Sequence, residues 1–198
     1  MTLVKICSIT NIADALSAVD AGADYLGFIG VPNTPRYVTP AQYHAIANEL
    51  PTGVKPVVVV RDVADAVPYG APIIQYYSGD TAVVPTSVEL LPVIRPQSVD
   101  DLPQLLAGAP TRAIGVVVDA YHPTKLGGAG VVTDWNIAAE AVRLSSAPIF
   151  LAGGLTPDNV AAAVAAVHPF AVDVSSGVEK SPGFKDHDKV VAFVVAVK

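Results

Sequence analysis

The sequence predicts a closed (β/α)8 barrel, and three observations lead there. Short apolar runs rich in Val and Ile recur along all 198 residues. They are nearly continuous rather than alternating, the pattern of strands buried on both faces of a parallel sheet. Segments of helical length separate most of them, and eight such strands is the number that closes a barrel.

Taken in order, the predicted strands are Leu3–Ser8, Tyr25–Ile29, Pro56–Val60, Pro72–Tyr76, Leu90–Ile94, Ala113–Val118, Pro148–Leu151 and Ala171–Val174. Amphipathic or alanine-rich stretches predict helices over Ile12–Ala21, Pro40–Leu50, Val99–Ala107, Asn136–Leu144, Pro157–Val167 and Asp186–Val197. Two starts are marked by a capping hydroxyl before a proline, Thr39-Pro40 and Thr156-Pro157. Helices three and four are expected to be shortened or irregular. Only Arg61–Ala71 is available for the third, and Ser78–Glu89 carries Pro85 and β-branched residues. A doubly wound sheet is the competing architecture, but no glycine fingerprint follows the first strand, which runs into Ser8-Ile9-Thr10-Asn11. No linker or composition shift divides the chain, so one barrel domain over 1–198 is expected.

Composition narrows the function classes. The chain is 52% hydrophobic and 15% charged, yet no apolar run reaches the roughly 18 residues that span a bilayer. The start, Met1-Thr2-Leu3-Val4-Lys5, lacks the pattern of a secretory signal. A soluble, cytoplasmic protein is expected. A net charge of −6 argues against nucleic acid as partner, although one local site can still be positive. Cys7 is the lone cysteine, which excludes an internal disulfide and a cysteine-based zinc cage. His44, His122, His168 and His187 have no ligand-like spacing, so no metal is expected.

In a barrel of this kind the chemistry sits where the strands end, with phosphate in the loops after strands seven and eight. Strand seven ends in Ala152-Gly153-Gly154, and strand eight in Asp173-Val174-Ser175-Ser176-Gly177. Glycines let backbone N–H groups approach an anion, and serine hydroxyls add donors. Cys7 ends strand one, as either a buried small residue or a reactive thiol. Asp119 ends strand six, where an unpaired charge is costly to bury. It is either a reactive carboxyl or a loop cap. Arg36 follows strand two, and its planar fork suits a carboxylate-bearing substrate. Trp135 reads as packing rather than stacking on substrate.

Together these stretches resemble a known family. Val4–Thr10, Gly22–Ile29, Pro35-Arg36-Tyr37-Val38, Leu126–Gly130 with Asp134-Trp135, Phe150–Val160 and Ala171–Glu179 are similar to phosphoribosylanthranilate isomerase of tryptophan biosynthesis, as are Ser181-Pro182-Gly183 and Lys185-Asp186-His187. The resemblance is weak only between about Arg61 and Leu105. It implies an Amadori rearrangement of N-(5-phosphoribosyl)anthranilate, with no cofactor, on a small phosphorylated substrate, by a monomer or homodimer. It further implies Asp119 as general acid, Cys7 as general base and Arg36 on the anthranilate carboxylate. Gly153, Gly154, Ser175, Ser176 and Gly177 would hold the phosphate, and Asp173 would make a further substrate contact. Acid and base must then be in opposite protonation states, whereas a free thiol near pKa 8.5 and an Asp near 3.9 start the wrong way round.

Three departures bear on this. The family has glycine where this chain has Ser8, and Gln-Leu-His-Gly where this chain has Gln75-Tyr76-Tyr77-Ser78-Gly79, without the histidine; the segment around helices three and four is also shorter than in the family. Two other readings therefore stand beside the isomerase: a different phosphosugar isomerase or epimerase, and a non-catalytic phosphoribosyl-ligand binder.

Overall fold

The structure is a computed structural model and describes residues 1–121 and 132–198. Parallel strands close a barrel in chain order: β1 (Leu3–Ile6), β2 (Tyr25–Ile29), β3 (Lys55–Asp62), β4 (Ile73–Ser78), β5 (Glu89–Ile94), β6 (Val116–Val118), β7 (Ile149–Leu151) and β8 (Ala171–Val174). β8 pairs back onto β1, setting Lys5 beside Asp173.

Strand alternation sorts the apolar residues into two cores. Tyr25, Val57, Ile73, Leu91, Val117, Phe150 and Ala171 fill the barrel interior. Their neighbours in sequence, among them Leu26, Val58, Ile74, Val118 and Val172, face outward and are covered by helices. Full burial of each such Leu, Ile or Phe contributes roughly 1.5–3 kcal/mol. Both cores are needed, because each strand is apolar on both faces.

The outer layer holds α1 (Ile12–Ala21), α2 (Pro40–Ala47), α3 (Leu102–Ala107), α4 (Trp135–Leu144), α5 (Val160–Val167) and α6 (His187–Val197). Thr39 caps α2 as expected, with a full capping box to Gln42. That helix stops at Ala47 rather than Leu50: Glu49 and Leu50 donate to carbonyls three residues back, a tightened last turn, and Leu50 itself precedes Pro51. The expected weak quarter is found. After β3 there is only a 3₁₀ turn over Val63–Tyr69, and after β4 one over Thr81–Val83. Aromatic rings cover β2 and β3 there: Phe28 packs edge-on against Tyr43, at 5.2 Å, and Tyr43 against Tyr69, at 5.8 Å. The Tyr69 hydroxyl also donates to the Val38 carbonyl at 2.7 Å.

Two expectations need correction. Helix α5 starts at Val160, not Pro157, because residues 157–159 form a turn. The Asn159 side chain organises that turn, accepting from the Thr156 N–H at 2.8 Å and donating to the Gly154 carbonyl at 3.0 Å. A small antiparallel hairpin, β9 (Glu179–Ser181) with β10 (Phe184–Lys185), was not anticipated. Its turn contains Pro182 and Gly183, the latter at φ +84.

Candidate active site

The alternation that builds the interior core also aims polar groups at the C-terminal mouth. On β1, Lys5 and then Cys7 follow Leu3 on the inner face. On β8 Asp173 follows Ala171, and beyond β6 Asp119 follows Val117. Gln75 and Tyr77 are the corresponding positions of β4. Lys5 is fully buried, and its ammonium lies 2.8 Å from Asp173 Oδ2. The other Asp173 oxygen, Oδ1, is buried without a hydrogen-bond partner, as is Gln75 Oε1. Each orphaned acceptor carries an unpaid desolvation cost until a donor arrives.

Gly27 makes room for the first pair. A Cβ there would sit 2.6 Å from Cys7 Sγ and 3.0 Å from Lys5 Nζ. Thiol and ammonium thus share one recess over β2. Burial pushes the Cys7 thiol above its ordinary value; Lys5 and then Lys185 pull it down, while Asp173 pushes it up. Burial also opposes the charge on Lys5, but Asp173 and Cys7 together hold its pKa above the usual value. Asp119 is raised to about 6, first by burial and then by Asp173. Its Oδ1 accepts the neighbouring Ala120 N–H at 2.9 Å, so part of the loop-cap reading is realised. Tyr77 is also raised, by burial and by the facing carboxylates and thiol of Asp119, Cys7 and Asp173. Arg95 stacks its guanidinium 5.6 Å from the Tyr77 ring and 6.0 Å from Tyr121.

Arg36 lies at the rim, with its fork held by Glu179. Nε donates to Oε1 at 2.9 Å and Nη2 to Oε2 at 2.6 Å. Glu179 also receives the fully buried Lys185 ammonium at 3.4 Å and the Gly183 N–H at 3.2 Å. Burial works against the Glu179 charge, but Arg36 and Lys185 hold its carboxyl below the usual range. The hairpin is tied down further inside: Asp14 accepts from the Lys185 N–H and faces His187 Nε2, both at 2.8 Å.

The loops after β7 and β8 touch. Gly153 and Gly154 have φ of +90 and +65, a region L side chains rarely enter. A Cβ on Gly177 would collide with the Leu155 carbonyl oxygen. Ser175 Oγ lies 2.7 Å from Ser8 Oγ, and the Lys185 ammonium donates to the Ser175 carbonyl at 3.0 Å. Ser8 itself is almost fully buried with φ +67, which gives a physical reason for glycine at this position in the resembled family.

Cys7, Asp119 and Asp173 therefore share the mouth, Arg36 stands on its rim, and Gly153, Gly154, Ser175, Ser176 and Gly177 form the adjoining loops. Lys5, Glu179, Lys185, Tyr77 and Arg95 were missed as site residues. A period-of-two count from Cys7 finds Lys5, and the same count along β4 and β5 finds Tyr77 and Arg95. Glu179 and Lys185 lie in stretches that carry the family resemblance, but no pattern or spacing in the sequence gives either of them a place in the site. The Leu126–Gly130 stretch and His122 lie outside the described residues. Trp135 opens α4 and packs against the outer core, with its Nε1 buried and unpartnered. Among the described residues no group of three or more His, Cys, Asp or Glu is placed to hold a metal, and no helix is long and apolar enough to cross a membrane.

Fold and site define a (β/α)8-barrel enzyme whose working groups are gathered at the C-terminal ends of its strands. The model of the family described as N-(5'phosphoribosyl)anthranilate (PRA) isomerase matches residues 4–196. The chain is 42% identical to the N-(5'-phosphoribosyl)anthranilate isomerase of Pelobacter propionicus, covering 100% of this chain and 96% of the relative. It is likewise 42% identical to that of Geobacter metallireducens, covering 100% of both. Among solved structures, the phosphoribosyl anthranilate isomerase of Thermotoga maritima superposes with a TM-score of 0.83 at 32% identity, over 100% of this chain and 98% of that one. One in complex with reduced 1-(o-carboxyphenylamino)-1-deoxyribulose 5-phosphate gives 0.81 at 30% identity, again over 100% and 98%. The chain belongs to the phosphoribosylanthranilate isomerase family.

Proposed function

We propose that this isomerase converts N-(5'-phosphoribosyl)anthranilate to 1-(2-carboxyphenylamino)-1-deoxyribulose 5-phosphate through Asp119 and Cys7. Asp119, protonated, gives its proton to the ribose ring oxygen as the C1–O bond breaks, leaving a Schiff base. Cys7, as thiolate, removes the C2 proton. The resulting enolamine tautomerises to the ketone, so no net proton is consumed and no redox partner is needed. The observation that carries this reading is the thiol and the carboxyl on one inner mouth, above a buried Lys5–Asp173 pair.

Burial supplies half of the required ionisation pattern. Asp119 at about 6 is protonated in roughly one molecule in ten near neutral pH, against about one in a thousand for a free Asp. The thiol is raised, so its thiolate is the scarce partner. Substrate phosphate lies on the amides of Gly153, Gly154 and Gly177 with the Ser175 and Ser176 hydroxyls. Asp173 Oδ1, short of a donor, accepts a ribose hydroxyl. Glu179 occupies the Nε–Nη2 edge of Arg36, leaving Nη1 and the outer Nη2 proton for the anthranilate carboxylate. The working form is a cytoplasmic monomer or homodimer.

The test is conversion of the aminoaldose by purified protein, together with growth of a strain lacking this isomerase on tryptophan-free medium. Cys7→Ala and Asp119→Asn should each abolish growth. Full activity in either variant would remove the role given to that residue.

A further inference from the structure

The reaction needs a thiolate in a recess whose burial favours the thiol, so something in the recess must oppose burial. Groups facing Cys7 come from several elements: Lys5 from its own strand, Asp173 from β8, Lys185 from β10, Tyr77 from β4 and Arg36 from the rim. Three of them are cations. Arg36 is engaged by Glu179, and Lys185 points to the Ser175 carbonyl and Glu179. Lys5 is the cation that shares the Gly27 recess with the sulfur, since a single Cβ there would meet both at 3.0 Å or less. It is fully buried, and a lysine is kept charged in such a place only by a partner. Asp173, at 2.8 Å, is that partner. The spare Asp173 oxygen does not touch the ammonium, so a substrate hydroxyl there would draw on the carboxylate without releasing Lys5.

We propose that Lys5 is a positioning residue for the isomerisation, its ammonium pinned by Asp173 beside Cys7 so that the thiolate is favoured over the thiol. Lys5 stays protonated through the cycle, and no proton of the reaction passes through it. The Gly27 recess is part of the device, because any side chain there would part sulfur from ammonium. This rests on Cys7 as the base.

Because Cys7 is the sole cysteine, its ionisation can be followed in the whole protein by thiolate ultraviolet absorbance, with Cys7→Ala as the blank. Lys5→Met and Lys5→Gln should raise the thiol midpoint by about one pH unit or more, a tenfold loss of thiolate per unit. Lys5→Arg, which keeps a cation beside the sulfur, should leave the midpoint close to the parent's. The pH-independent kcat/KM of Lys5→Met and Lys5→Gln should fall by the same factor as the thiolate fraction, and its alkaline break should move with the midpoint. Coincident midpoints in all variants, on protein with native circular dichroism, would overturn the proposal whatever the rates do. Should Lys5→Met fail to fold, Lys5→Gln and Lys5→Arg decide the question alone: a raised midpoint in the first and an unshifted one in the second support the proposal, and equal midpoints in both overturn it. Full activity in Cys7→Ala would instead strike at Cys7 as base, a failure the thiol titration does not mimic.

Discussion

Arg36 and Glu179 face each other edge to edge, and the pairing commits two of the guanidinium's five N–H donors to the protein itself. In the proposed binding mode, Glu179 thereby fixes which edge of the arginine is offered to the anthranilate carboxylate. Glu179→Gln keeps the shape and removes the charge, so Arg36 should lose its fixed direction. KM is expected to rise roughly 10- to 150-fold with kcat nearly unchanged, the loss of one charge-assisted bond of roughly 1.5–3 kcal/mol. Steady-state kinetics decide it: a fall confined to kcat would mean that the pair acts on the chemistry and not on binding.

The raised Asp119 predicts an unusual pH profile. With Asp119, the proposed acid, at about 6 and Cys7, the proposed base, raised by burial, the reactive form has both groups in their less favoured state. Below about 6 kcat/KM climbs with pH, because thiolate increases while Asp119 remains protonated. Above it the two effects cancel into a plateau, which ends where the thiol titrates. Asp119→Asn should cost roughly 10²–10⁴ in rate and abolish the break near 6. A break surviving unchanged in that variant belongs to another group.

Ser8 sets a backbone cost against a hydrogen bond. Its φ of +67 strains a non-glycine residue by about 1–2 kcal/mol, and its contact with Ser175 returns about 0.5–1.5 kcal/mol. Ser8→Gly should therefore leave stability within about 1 kcal/mol of the parent. Ser8→Val, β-branched at positive φ and without the hydroxyl, should destabilise by more than about 2 kcal/mol. Urea unfolding of the two variants tests the pair; equal midpoints would contradict it.

Asp14 ties α1 to the second hairpin strand and to α6. Burial opposes its charge, but the Lys185 N–H, His187 and Asn11 hold its pKa below the ordinary value. A carboxyl depressed in the folded state stabilises fully above its unfolded value, near 3.9, and loses that contribution as pH falls through the folded value. Asp14→Asn should cost about 1–3 kcal/mol at neutral pH, and the deficit should shrink as the pH drops below about 4. Chemical denaturation at several pH values measures this. A deficit independent of pH would assign the effect to packing.

The barrel was legible because strands buried on both faces write themselves as unbroken apolar runs, and Cys7, Asp119 and Asp173 interrupt or end such runs. Arg36 was legible from its position after β2. Its partner was not: 143 residues separate it from Glu179, and nothing near Glu179 marks it as other than a surface carboxylate. Lys5 was hidden differently. Within Leu-Val-Lys-Ile-Cys a lysine reads as an interruption of the strand until the inner-face count is taken from Cys7. The β9–β10 hairpin escaped because its two strands are too short to show any period.

Where the third helix of the wall is reduced to a 3₁₀ turn, Phe28, Tyr43 and Tyr69 act as a buttress of three interlocked rings. A cylinder of helix spreads its load over many small contacts, so trimming one leaves the others standing. A buttress concentrates it. Cutting Tyr69 back to alanine would unseat its neighbour and bare two strands at a stroke, making this flank the place where a solvent front first enters the wall.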